Sequence, residues 1–165
     1  MRKIIKNWVN LNKLYLTELF DLSDVEVTGV FSCSVNDLTS LVGSPHTVGG
    51  FYCTHNNLTS LKGSSHTVRG DFYCDHNKLT SLEGAPEIIG DLGSFICGYN
   101  NLTNLKGAPK TVGGLFSCRS NNLTSLEGIP KTVGGSFYIG KALRDKFPEE
   151  YIRSLSEIEG KVLYV

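Results

Sequence analysis

The residue types best suited to chemistry in this chain are two histidines with an aspartate, and a set of cysteines. His55, Asp75 and His76 could together bind Zn²⁺, because this ion accepts imidazole nitrogens and carboxylate oxygens as ligands. An enzyme would also need a nucleophile, a phosphate-binding glycine loop or paired acids, and none accompanies these three residues. We therefore interpret them as part of a binding surface without catalytic residues, and keep a zinc site or a metal-dependent enzyme as the less favoured alternative.

The five cysteines occur singly, not as the Cys-x-x-Cys pairs typical of zinc sites. Successive cysteines are 20 to 23 residues apart: Cys33, Cys53, Cys74, Cys97 and Cys118. This regular spacing predicts a line of equivalent positions, whereas metal ligands must converge on one point. We predict five buried thiols that act as small hydrophobic side chains, with no disulfide, metal or cofactor.

Each cysteine belongs to one recurring phrase, Phe-x-Cys-x-x-Asn-x-Leu-Thr-x-Leu. Its copies begin at Phe31, Phe51, Phe72, Phe95 and Phe116. A period of about 20 residues is typical of solenoids, in which each unit buries its apolar side against its neighbours. Phe and Cys stand two residues apart and should point to the same face of a strand, so the copies should stack as a parallel sheet at about 4.8 Å per repeat.

The rest of the repeat predicts turns rather than helices. A buried Asn in each copy can bond the backbone of its own turn and of its neighbours. Branched apolar residues precede each phenylalanine: Val27, Val48, Val68, Ile89, Val112 and Val133. Only six residues separate the last Leu of a copy from the next of these, too few for an outer helix. Gly and Pro recur after the leucines of most copies, as at Gly43 and Pro45. They favour an extended, polyproline-like chain that leads back to the next strand.

The N-terminal region allows two interpretations. An amphipathic helix would use Ile4, Trp8, Leu11, Tyr15 and Leu19. The favoured alternative is a degenerate first repeat, in which Val9 takes the Phe position and Leu14 the Asn position. Ile4 and Ile5 would then add a short strand that covers the exposed edge.

The C-terminal region predicts a truncated repeat followed by a cap. Phe137–Ile139 repeats the strand, and Pro148 opens a helix with acids in its first turn. Tyr151, Ile152 and Leu155 should lie on its buried side, and residues 161–165 should close as a final strand. We predict one domain, residues 1–165: a cap and degenerate repeat (1–30), five regular repeats (31–136), and a truncated repeat with its cap (137–165).

The repeat resembles the leucine-rich repeat, Leu-x-x-Leu-x-Leu-x-x-Asn-x-Leu, over about residues 9–143. Its positions are filled in order by Val48, Phe51, Cys53, Asn56 and Leu58. In most copies the branched residue and Phe stand one residue further apart than in the consensus. The repeat sequence is most similar to short-period bacterial leucine-rich repeats and to those encoded by tailed phages. The resemblance implies a mainly β leucine-rich-repeat solenoid, with a parallel sheet on the concave face, an extended convex side and a short C-terminal capping helix.

Side chains that point away from the core should form the binding surface, because they vary in type on a uniform scaffold. The partner-binding candidates are Tyr52, His55, Tyr73, Asp75, His76, Ile96, Tyr99, Arg119 and Tyr138. Tyrosine and arginine are enriched in protein-binding hot spots. The alternative is that the tyrosines only stack on one another across strands and stabilise the sheet.

Charge and composition limit the classes of partner and of cellular location that we expect. Sixteen basic and sixteen acidic residues cancel, which argues against nucleic acid as a partner. The sequence has neither a membrane-spanning apolar run nor a signal peptide, so we expect a cytoplasmic protein. The favoured function is a non-catalytic, monomeric protein-binding module; the phage resemblance implies a modulator or inhibitor of a host protein, located in the host cytoplasm. The alternative is a structural or assembly component of a virion.

Overall fold

The computed structural model describes residues 3–165, so residues 1 and 2 of the predicted N-terminal cap lie outside it. The strands, in chain order, are β1 (Lys3–Ile5), β2 (Val9–Asn10), β3 (Val25–Ser32), β4 (Thr47–Tyr52), β5 (Thr67–Val68), β6 (Phe72–Tyr73), β7 (Ile88–Ile89), β8 (Phe95–Ile96), β9 (Thr111–Val112), β10 (Phe116–Ser117), β11 (Thr132–Val133), β12 (Phe137–Ile139), β13 (Glu157–Ile158) and β14 (Val162–Tyr164). They pair in parallel as stacked coils of a β-solenoid with about eight turns. The predicted mainly β fold is confirmed.

The first series of strands forms what we call the phenylalanine ladder. In it Phe51 pairs with Phe31 on one side and Phe72 on the other, and the register continues through β8, β10 and β12 to β14. The phenylalanine rings are fully buried, and successive centroids lie 5.1–5.7 Å apart. All five cysteines are buried beside them as free thiols, as the sequence predicts. The spacing of Phe and Cys therefore defines the core.

A second series, the valine ladder, runs along the branched residues that precede each phenylalanine. It contains β1, β5, β7, β9, β11 and β13, and joins the first series through the longer strands β3 and β4. Val48, for example, pairs with Val27 and Val68. The sequence analysis expected extended chain here but no ladder. Each regular coil therefore pairs with its neighbours along two separate ladders of strands.

A glycine lies in the bend that connects the leucines of each regular repeat to the valine ladder. Gly84 has a φ of +95°, and a Cβ atom there would lie 2.5 Å from the Leu61 carbonyl carbon of the preceding coil. An L side chain is excluded both by the backbone conformation and by the close approach. This bend lets adjacent coils stack in contact.

The N-terminal segment is a degenerate first coil, and the helix alternative is wrong. Val9 of β2 pairs with Phe31, the position that the repeat alignment assigns to it. β1 pairs with the start of β3, so Ile4 and Ile5 form the expected edge strand. This coil is incompletely covered, because Trp8 and Phe20 remain 67% and 63% exposed.

The C-terminal cap contains the predicted helix, α1, at Glu149–Leu155, and a 3₁₀ turn at Lys141–Leu143 that was not predicted. Ile152 is buried, but Tyr151 and Leu155 are 44% and 42% exposed, so the prediction that all three face the core is wrong. The helix has only 7 residues, about two turns, and Ile152 is the one residue that it buries. β14 lies within the predicted final strand. No helix in residues 3–165 has the length and hydropathy required to cross a bilayer.

Candidate functional site

The outward side of the phenylalanine ladder carries the first group of predicted site residues. Because side chains alternate along a strand, the residue after each buried phenylalanine points away from the core. Tyr52 and Tyr73 are paired in register and are half-buried. Their rings stack with centroids 4.7 Å apart and planes 7° apart. Ile96 and Tyr138 occupy the same position on β8 and β12.

Asp71 belongs to this surface and was missed by the sequence analysis. Its Oδ1 accepts a hydrogen bond from the Ser94 backbone N–H at 2.8 Å. Burial, the Asp71 charge and a hydrogen bond to Asp71 raise the pKa of Tyr52, and raise that of Tyr73 to about 12. Strand alternation could have found Asp71, because residues immediately before and after Phe72 point to the same side. Both tyrosines therefore present neutral, hydrogen-bonded phenols.

The second group lies where each coil turns after its cysteine. One residue per coil has a left-handed backbone conformation with φ between 51° and 56°: Val35, His55, His76, Tyr99 and Ser120. The His55 and His76 rings stack at 4.2 Å, and the His76 and Tyr99 rings at 4.3 Å. The Arg119 guanidinium extends this row, with Cζ 5.2 Å from the Tyr99 centroid. We call His55, His76, Tyr99 and Arg119 the turn stack.

The left-handed turn is unusual for these residue types. Glycine adopts this conformation readily, and asparagine, aspartate and histidine are enriched in it, whereas other residues pay about 1–2 kcal/mol for it. It recurs at the same position of successive coils, including those with Val35 and Ser120, so the turn belongs to the repeat. The sequence analysis missed it because histidine, tyrosine and valine do not signal a left-handed turn.

Asp75 lies beside the turn stack and orients one of its histidines. Its Oδ2 accepts a hydrogen bond from His76 Nδ1 at 2.7 Å. One potential ligand atom from each of His55, Asp75 and His76 lies within 4.8 Å of the other two. These three residues have the donor types that suit a divalent transition metal.

A shallow cleft completes the surface, beside Arg119. It has a volume of about 230 Å³ and is lined by Ile96, Leu115, Ser117, Arg119 and Tyr138. Its lining combines the apolar side chains of Ile96 and Leu115 with the cationic side chain of Arg119. The structure thus places the nine predicted residues on one side of the solenoid, as a tyrosine pair, the turn stack with Asp75, and this cleft. We call these nine residues the aromatic face.

The cysteines cannot act as surface nucleophiles in the folded protein. Burial raises the pKa of Cys53, Cys74 and Cys97 well above the ordinary thiol value. Cysteine reacts as its thiolate, so a buried neutral thiol is inert.

Protein-family models, curated proteins and solved structures were compared with the chain, and none of the three comparisons finds a match. The likeness to leucine-rich repeats therefore stays a prediction from the repeat phrase.

Proposed function

We propose that this chain is a non-catalytic protein-binding module that docks a partner protein on its aromatic face. The observation that carries the proposal is the turn stack, where three coils place His55, His76 and Tyr99 in a left-handed turn. Asparagine or glycine would hold the same turn with less strain. Partner binding supplies a reason for the larger side chains.

Stacking within the protein does not by itself account for these residues. Two ring contacts, His55 with His76 and His76 with Tyr99, contribute about 0.5–1.5 kcal/mol each. The left-handed backbones oppose them, by about 1–2 kcal/mol at Tyr99 and by less at the two histidines. The net gain to the folded state is therefore small.

The chemistry of the face suits a protein surface. Tyrosine and arginine bury a large apolar area while keeping a polar group for hydrogen bonding, which is why they dominate hot spots. The cleft between Ile96 and Tyr138 can accept an aliphatic side chain, and Arg119 in its lining favours a neighbouring carboxylate. The likeness to phage-encoded repeats suggests that the partner is a host protein in the host cytoplasm.

Two tyrosine variants test this proposal. The chain is immobilised, a partner is captured from cell lysate and purified, and its Kd is measured for the wild type and for Tyr99→Asn and Tyr15→Asn. Tyr15 is the matched control, because it is 82% exposed and also left-handed, with φ 55°, but lies in the first coil. We expect Tyr99→Asn to weaken binding at least about tenfold, the effect of a hot-spot residue, and Tyr15→Asn to leave it unchanged. Equal Kd values for all three proteins would contradict docking on this face.

The N-terminal edge gives specific support to a second candidate, a structural or assembly component of a virion. Ile4, Trp8 and Phe20 are exposed there by 60%, 67% and 63%. β1 and β2 each pair only with β3, so their other edges are unpaired within residues 3–165. Exposed edges of this kind favour association between chains. Sedimentation across a wide concentration range separates the candidates, since the binding module stays monomeric and the assembly component grows.

A further inference from the structure

We propose that His55, Asp75 and His76 form a binding site for one divalent transition-metal ion, such as Zn²⁺. This site does not depend on a protein partner and can be tested on the chain alone. It uses two imidazoles and one carboxylate, a ligand set that leaves a coordination position open to water or another donor.

The fold brings the three side chains together through the repeat. His55 and His76 occupy the same left-handed position in consecutive coils, and their ring centroids lie 4.2 Å apart. Asp75 immediately precedes His76 and lies half-buried at the same level. In the neighbouring coils the equivalent pairs are Ser34 with Val35 and Gly98 with Tyr99, which lack this donor set. The cluster is therefore local to two adjacent coils.

The hydrogen bond between Asp75 and His76 prepares one ligand. It holds the carboxylate of Asp75 2.7 Å from Nδ1 of His76, which donates to it when the carboxylate is ionised. An ion bound by both residues replaces this hydrogen bond: Nδ1 of His76 becomes the ligand atom, and the proton of the neutral ring moves to Nε2.

Metal binding requires a small rearrangement. Ligand atoms around tetrahedral Zn²⁺ lie about 3.3 Å apart, as follows from bonds of about 2.0–2.1 Å, whereas those of the cluster lie within 4.8 Å of one another. The two imidazole planes are 8° apart, and lone pairs in nearly parallel rings do not converge. At least one ring must therefore turn out of the stack. His55 is exposed, so its ring can rotate without disturbing the core.

Titration with Zn²⁺ alone, followed by calorimetry, tests the site, with Co²⁺ absorption as a second readout. We expect one ion per chain, and at least about tenfold weaker binding in His55→Asn, His76→Asn and Asp75→Asn. Asparagine is suited to the left-handed turn, so both histidine variants should fold. Circular dichroism verifies this.

His66→Asn is the matched control, since His66 forms a second histidine pair with His46, at 5.3 Å, without this aspartate. We expect unchanged Zn²⁺ binding in this variant. The proposal is overturned if the wild type binds no Zn²⁺ at free ion concentrations up to about 100 μM. It is equally overturned if the three site variants bind Zn²⁺ as tightly as the wild type does. It is also overturned by a sulfur-to-cobalt charge-transfer band, which would assign the ion to the cysteines.

Discussion

Asn100 is bound to Cys74 of the preceding coil, with its Nδ2 donating to the Cys74 carbonyl oxygen at 3.1 Å. The same amide also donates to Cys97 and Gly98 carbonyls in its own turn. Its Oδ1 accepts from the Leu79 backbone N–H at 2.9 Å. One buried side chain thus satisfies backbone groups of two coils, and Asn36, Asn56, Asn77 and Asn121 repeat the arrangement.

We expect Asn100→Ala to lower the free energy of unfolding by about 2–4 kcal/mol. The substitution leaves a buried Leu79 N–H and several carbonyls without partners, and each such loss costs about 1–3 kcal/mol. Asn101→Ala is the control, since the next residue in the chain is exposed. Urea unfolding measures both. Similar effects at the two positions would show that the buried asparagines do not hold the coils together.

Val35→Asn should stabilise the protein by about 1 kcal/mol. Val35 is a β-branched residue in the left-handed region, with φ 56°, and is 43% exposed, so little packing is lost on substitution. Asparagine tolerates this conformation, whereas valine pays about 1–2 kcal/mol. Val42→Asn serves for comparison, because Val42 is 69% exposed but outside the left-handed region. Thermal unfolding of both variants should show a gain only for Val35→Asn.

Gly84→Ala should destabilise the fold by about 3 kcal/mol or more, through strain at positive φ and through overlap with the preceding coil. A Cβ atom there would lie 2.5 Å from the Lys62 backbone nitrogen. Gly140→Ala provides the contrast, since Gly140 has φ −61° and the nearest atom to the new Cβ, the Ser120 backbone nitrogen, would be 3.8 Å away. Chemical denaturation should leave Gly140→Ala within about 0.5 kcal/mol of the wild type. A tolerated Gly84→Ala would mean that the bend can relax.

Stability should fall steeply in alkaline solution. Burial raises the pKa of all five thiols, to about 12 for Cys33 and Cys118. In the unfolded chain a thiol ionises near pH 8.5, so above this pH the unfolded state releases protons that the folded state retains. The stabilising contribution is complete below about pH 8.5 and is lost as the pH rises toward the folded pKa. At pH 10 the loss amounts to about 2 kcal/mol for Cys33 and the same for Cys118.

Urea unfolding at pH 7 and pH 10 measures this loss, and Cys118→Val isolates one thiol. Valine is a reasonable replacement, because Ile139 takes the cysteine position in the next coil. The loss between the two pH values should be about 2 kcal/mol smaller in the variant. An identical loss in both proteins would assign the alkaline effect to other groups.

The core was predictable because its signal repeats. Phe72 and Cys74 stand two residues apart in a phrase that recurs five times, so strand alternation and stacking follow directly. The valine ladder was harder to predict, since strands of two residues such as Thr67–Val68 show no alternation. Tertiary pairing with the neighbouring coil, rather than local propensity, makes them strands.

The sequence predicted that the candidate residues point outward, but it did not predict their geometry. The outward columns gave Tyr73, His76 and Tyr99, but nothing in those residue types indicates a left-handed turn. Asp71 was missed because only residues after Phe72 were considered as outward. The prediction that Leu155 is buried was wrong, because helical periodicity indicates which side of a helix is apolar but not how much of a short helix the sheet covers.

Each coil is held by the coils directly above and below it, through two ladders and one asparagine per turn. Loss or duplication of one complete unit would therefore leave the remaining contacts intact. It would change the extent of the aromatic face in steps of about 4.8 Å, the separation of adjacent strands. The distance between recognition groups can thus evolve by recombination of whole units, separately from the sequence that makes them fold.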